Sequence, residues 1–230
     1  MSVHLTEEEQ LEALKRWWKE YGKSVLTAIV IAVAAYMAWG AWQNQQRIKA
    51  EKASATYEKL VKLISEKPNS ATAENDIALA KQLATELKSD SKSLYAQTAG
   101  LFLAKVAVDE NKLDDAATEL QWVLTTKPDE TTAQITRLRL AKVLTAKQSY
   151  EDALAQLAQE PAAALAGDYA EARGDIYKLQ GNLDKARAAY EAALTATNPQ
   201  QQERFMLLQM KVDDLKLIQP VEAASAEKAQ

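Results

Sequence analysis

The sequence predicts an all-α protein: a single N-terminal transmembrane helix, then a right-handed α-solenoid of repeated helix pairs closed by a C-terminal capping helix. Three observations carry this. An uncharged run from Val25 to Trp42 is bracketed by aromatic residues. Small residues recur in pairs at a spacing near 34 residues. Five prolines, Pro68, Pro128, Pro161, Pro199 and Pro220, fall between segments of helical periodicity, where they start or end helices without interrupting them. No extended alternation of β-branched and aromatic residues between turn pairs marks a strand.

The apolar run comes first. Its 18 residues hold only Thr27 as an ordinary polar side chain; as a helix they span about 27 Å at ~1.5 Å per residue, close to the ~30 Å hydrocarbon core of a bilayer. Trp17, Trp18 and Tyr21 precede the run, Trp39 and Trp42 close it, and Lys19 and Lys23 can snorkel, as membrane interfaces require. A cleaved signal peptide would have a short basic leader and a small-residue ending; here 23 residues with five acids lead in, and the run ends in tryptophans. The lead-in is an amphipathic helix, begun by a capping box of Thr6 with Glu9 and carrying Leu11, Leu14, Trp17, Trp18 and Tyr21 as its apolar stripe. Orientation is not given by charge: four basic residues before the run face five after it.

Composition narrows the chemistry. With no cysteine there is no disulfide, zinc knuckle, iron–sulfur cluster or cysteine nucleophile, and the one histidine, His4, stands outside every periodic segment. A net charge of −4 gives no basic footprint for nucleic acid. The six glycines are never closer than seven residues, so no phosphate-cradling glycine loop can be written. The adjacent acids Asp114 and Asp115, and Asp213 and Asp214, point to different sides of a helix and make poor metal or glycosidase pairs. No enzyme and no cofactor are expected.

The repeats carry the fold. Residues 167–199 read as a helix with Gly174 and Tyr177, a turn at Gly181 and Asn182, and a second helix with Ala186, Tyr190, Ala193 and Leu194. This resembles the tetratricopeptide repeat. Small residues at Gly174 and Ala186 allow close helix approach, Tyr177 and Tyr190 fill the space between, and the turn glycine ends the first helix. Two more divergent copies pair Ala141 with Ala153 and Ala104 with Ala116; Ser149 is expected to cap the second helix of the former. Ala116, Ala153 and Ala186 are 37 and 33 residues apart.

The expected organisation is an amphipathic segment at 1–23, the transmembrane helix at 24–42, a long linker helix with a divergent first helical pair at 43–90, repeats at 91–200, a capping helix at 201–219 and a disordered tail at 220–230. The capping helix starts at Asn198-Pro199 and buries Phe205, Leu208, Val212 and Leu215. Such stacks bind partners on a concave face built from the first helix of each pair. Projection places Leu101, Lys105 and Val108, then Ile135, Leu138 and Lys142, then Glu171, Asp175 and Lys178 on it, as protein-binding candidates. Core packing is an equal reading for Leu101, Val108 and Ile135. A clamp for a free carboxylate needs convergent lysine, arginine and asparagine, and the last repeat offers two acids instead. Arg137 and Arg139, two apart, face differently, as a salt bridge and a solvated charge would.

The order of parts, with LFLAKVAVDENKLDDAATELQWVL, RLRLAKVL, ARGDIY and LLQMKVDDL, resembles the YfgM family, the ancillary subunit of the bacterial SecYEG translocon, from about Glu9 to Leu217. The resemblance implies a single-pass inner-membrane protein with a cytoplasmic N-terminus and a periplasmic repeat domain. It implies as partners the SecYEG translocon, a PpiD-like membrane chaperone, unfolded or emerging periplasmic polypeptides and membrane lipid, with no nucleic acid. The absence of cysteine suits a periplasmic domain that avoids stray disulfides. The alternative is an envelope-assembly or cell-division scaffold that organises other membrane proteins with the same repeats.

Overall fold

A computed structural model describes residues 7–65, 73–89, 93–198 and 200–227. His4, Thr6, Pro68 and Pro199 lie outside the described residues, and with them the Thr6 and Glu9 capping box. The described residues form helices and turns, without strands: α1 (Glu7–Ser65), α2 (Ala73–Leu87), α3 (Leu94–Asp109), α4 (Leu113–Thr125), α5 (Glu130–Ala146), α6 (Tyr150–Gln156), α7 (Ala163–Leu179), α8 (Leu183–Ala196) and α9 (Gln202–Glu227). The chain divides into two units, Met1–Ala55 and Thr56–Gln230.

In the first unit the lead-in and the apolar run are one unbroken helix. α1 is the helix among the described residues that is long and apolar enough to cross a membrane, and none of its apolar window is buried by protein. Ile29, Val30, Ile31, Val33 and Met37 are all exposed, an arrangement that water penalises and lipid does not. The Trp17 and Tyr21 rings lie 6.1 Å apart before the run, and those of Trp39 and Trp42 5.3 Å apart at its end.

In the second unit, α3 with α4, α5 with α6 and α7 with α8 form successive packed pairs. α4 also packs on α5, α6 on α7 and α8 on α9, so each pair is covered by the next. The expected small positions are fully buried: Ala104 and Ala116, Ala141 and Ala153, Gly174 and Ala186. Four residues after each second-helix alanine stands a large residue, Leu120, Leu157 and Tyr190, each at most 1% exposed. The sequence pairs α2 with the helix at 43–65; the structure packs α2 on α3 and brings the Tyr57 ring of α1 5.0 Å from that of Tyr95.

The turns inside the pairs share one geometry. Asn111, Gln148 and Gly181 all have positive φ, at 59°, 61° and 77°, each five residues before the buried alanine of the following helix. In each turn the next residue donates its N–H six-to-one to a carbonyl of the preceding helix: Lys112 to Ala107, Ser149 to Leu144, Asn182 to Tyr177. Glycine and asparagine tolerate the left-handed conformation, whereas glutamine is strained there. Replacing exposed Gln148 by glycine is therefore expected to stabilise the domain by about 0.5–1 kcal/mol, the relief exceeding the added freedom of the unfolded chain. Urea unfolding would show a raised midpoint; an unchanged or lowered one contradicts the strain.

Caps divide by residue. Ser93, Asp129 and Asn182 accept from the N–H groups of Ala96, Thr132 and Lys185 at 3.1, 3.1 and 3.3 Å. Hydrogen bonds from the Thr132 hydroxyl and N–H hold the Asp129 carboxyl below its ordinary pKa. Ser149 occupies the expected cap position but its side chain makes no capping bond; its carbonyl accepts from the Ala153 N–H. Asn198 accepts from the Gln200 N–H at 3.0 Å ahead of α9. On α9, Leu208, Val212 and Leu215 are buried as expected, while Phe205 is 38% exposed. The α9 backbone stays helical to Glu227, past the boundary that Pro220 suggested. A proline removes one backbone hydrogen bond, and the alanine- and glutamate-rich stretch behind it favours helix enough to continue.

Candidate functional site

A groove opens between α3 and α5, with α4 as its floor. It encloses about 640 Å³, within the roughly 300–1,000 Å³ of ligand sites. From α3 come Thr98, Leu101, Phe102, Lys105 and Val108, which share one helix face at three- and four-residue spacing. Leu113 and Leu120 of α4 line the floor, and Arg139, Lys142 and Val143 of α5 the opposite wall. The groove exists because α4 packs between α3 and α5, whereas α5 meets α7 directly.

The lining is apolar with a cationic rim and contains no carboxylate. The Lys105 Nζ lies 2.7 Å from Asp109 Oδ2. Exposed Arg139 and Lys142 make no ion pair among the described residues. The Thr98 hydroxyl donates to the Leu94 carbonyl and is already engaged. Arg137 is not part of this lining; its Nη1 lies 3.9 Å from Glu130 Oε1, so the two arginines do face differently.

The nine candidate residues separate. Leu101, Lys105, Val108 and Lys142 line the groove. Leu138 is 8% exposed and belongs to the core with Tyr169 and Ala172; half-buried Ile135 stands outside the groove. Glu171, Asp175 and Lys178 are taken up by α9. The Glu171 carboxylate accepts from Arg204 Nη2 at 3.1 Å and Lys211 Nζ at 2.8 Å. Asp175 accepts from Lys211 at 2.7 Å and from the Tyr190 hydroxyl at 2.8 Å, and Lys178 pairs with Asp214. Burial pushes the Tyr190 phenol far above its ordinary pKa, and the bond to Asp175 adds to this. For Lys211 burial acts downward, but the bonds to Asp175 and Glu171 outweigh it and leave the ammonium above its ordinary value. Sequence reasoning missed Phe102 and Arg139. The signal was present in the register: Phe102 with Arg139, like Lys105 with Lys142, stand 37 residues apart, the interval between Ala116 and Ala153.

The model of the tetratricopeptide repeat-like domain family matches residues 15–217. The ancillary SecYEG translocon subunit of Escherichia coli (strain K12) is 31% identical over 219 residues, covering 94% of this chain and all of that protein. Proteins of the same name from Neisseria gonorrhoeae and Haemophilus influenzae are 30% and 27% identical, again over 94% of this chain and their full lengths. The chain belongs to the YfgM family. No solved structure matches it. The family match begins at residue 15 and so takes in most of α1 as well as the repeats.

Proposed function

We propose that this YfgM-family chain is a non-catalytic, membrane-tethered scaffold at the Sec translocon, whose repeat domain links translocating polypeptides to periplasmic chaperones. The observation that carries the reading is full-length similarity to a protein named as an ancillary translocon subunit, including the apolar helix. A single span with a cytoplasmic N-terminus would hold the array on the periplasmic side of the inner membrane, next to the channel exit. Tethering to one membrane raises the effective concentration of partners, so that even weak contacts become productive. A PpiD-like membrane chaperone is the partner proposed for hand-over, and the groove between α3 and α5 is the surface proposed for polypeptide contact.

Site-specific photo-crosslinking of the full chain in its native membrane tests this. A crosslinker at Lys142, on the groove rim, is expected to capture a translocon subunit, a membrane chaperone or an emerging chain. Leu138 is unsuitable because it is buried. Capture of none of the three overturns the reading, as does a cytoplasmic result from a periplasm-active reporter fused after Gln230.

A further inference from the structure

We infer that the groove between α3 and α5 selects apolar polypeptide segments flanked by internal aspartate or glutamate. The inference rests on the proposed role of the repeat domain in holding polypeptides, and adds what kind of segment it holds.

The groove asks for two things at once. Leu101, Phe102 and Val108 from one wall, with Leu113 below, form an apolar surface that an apolar side chain can cover. Val108 is 42% exposed, an open contact point on this wall. On the facing wall, Arg139 and Lys142 are exposed cations without a partner among the described residues. They lie three residues apart on α5, on neighbouring positions of one helix face. The chain as a whole carries a net charge of −4, yet the groove lining holds Arg139, Lys142 and the Asp109-paired Lys105 and no carboxylate of its own. An acidic side chain beside an apolar stretch satisfies both walls, and a basic flank is repelled by the rim.

An internal carboxylate fits better than a chain terminus. Recognition of a terminal carboxylate draws on amide donors converging with the cations, and no asparagine or glutamine lines this groove. Thr98, the one uncharged polar side chain in the lining, already donates to Leu94. A rim of this kind discriminates through long-range attraction, so its preference is strongest at low ionic strength.

The test uses the full chain in lipid nanodiscs and fluorescence anisotropy with short amidated peptides. These share one apolar centre and carry flanks of Glu, Gln or Lys, and a fourth peptide has Gln flanks with a free C-terminal carboxylate. The Glu peptide is expected to bind about tenfold more tightly than the Gln peptide at low salt, the Lys peptide most weakly. Replacing Arg139→Gln and Lys142→Gln together removes the difference between Glu and Gln peptides and leaves Gln-peptide affinity unchanged. Reversal with Arg139→Glu and Lys142→Glu turns the preference toward the Lys peptide. Both pairs lie on an exposed rim, and an unchanged Tm confirms the fold. Equal affinity for all flanks, preference for the free terminus, or no binding of any peptide overturns the inference. Equal affinity leaves the scaffold reading standing, since that is decided separately by crosslinking in the membrane.

Discussion

Replacing Gly174 by alanine destabilises the repeat domain by about 2 kcal/mol, although glycine is the poorer helix former. The substitution gains about 1 kcal/mol of helix propensity in the middle of α7. Against this, a Cβ at Gly174 would lie 2.4 Å from two carbons of the Tyr190 ring. The ring has nowhere to go: it is 1% exposed, clustered with Ala186, Val212 and Leu215, and pinned by its hydroxyl to Asp175. Overpacking of this kind costs about 3 kcal/mol, which outweighs the propensity gain. The other repeats show the remedy. Where the third has Gly174 with Tyr190, the first has Ala104 with Leu120 and the second Ala141 with Leu157, at the same 16-residue interval. Tyr190→Leu alone leaves space and removes the hydroxyl bond to Asp175, which keeps Lys211, at about 2–3 kcal/mol. The double variant rebuilds the alanine and leucine combination, so its cost falls short of the sum by about 1 kcal/mol or more. A thermal double-mutant cycle reads this coupling, and additive effects would show that the two positions do not oppose each other.

That cycle also explains which parts of the molecule the sequence discloses. Close helix approach requires small residues opposite large ones, and the requirement recurs once per repeat, so Ala104, Ala141 and Gly174 announce the pairs even where other similarity is lost. The apolar face of α9 follows from the same periodicity, and Leu208, Val212 and Leu215 are buried where it puts them. The Gln148 turn was hidden because glutamine carries no turn signal, although its backbone copies that of Gly181. Gly100 gave no repeat pattern, yet a Cβ there would fall 2.7 Å from Val123, so α3 and α4 depend on it for their approach. For the groove, helix projection gives the direction of a side chain but not what stands opposite. Leu101 and Leu138 occupy one register position, 37 residues apart. The first faces an open groove and the second lies in the core cluster with Tyr169 of α7. Glu171 and Asp175, which projection offers to a partner, are met by Arg204 and Lys211 of α9, and those residues lie more than 30 positions further along the chain.

Two groups at the junction where α7, α8 and α9 meet, and one between α7 and α5, make the domain sensitive to alkali. Lys211, Tyr190 and Tyr169 all have raised pKa values in the folded state. For Lys211 the bonds to Asp175 and Glu171 overcome burial; for the tyrosines burial is the main cause, with Tyr169 donating to the Gln134 carbonyl at 2.8 Å. Each group holds its proton more tightly folded than unfolded. Its stabilisation is therefore fully present below the unfolded value, near pH 10 for all three, and is lost as pH rises through the folded value. Urea midpoints are expected to stay level with respect to these groups up to about pH 9.5 and then fall steeply, because the unfolded chain releases its protons first. Tyr190→Phe removes one of the three and makes the fall shallower. Lys211→Met at neutral pH leaves Asp175 without its ammonium and Glu171 with Arg204 alone among these partners. With Lys211 25% and Glu171 20% exposed, the loss is expected at about 1–2 kcal/mol, between that of a surface pair and a fully buried one. The same variant also loses the cation that stands 5.3 Å from the Tyr190 ring centre. An alkaline limb as steep in Lys211→Met with Tyr190→Phe as in the unmodified chain would mean that the junction does not set the transition.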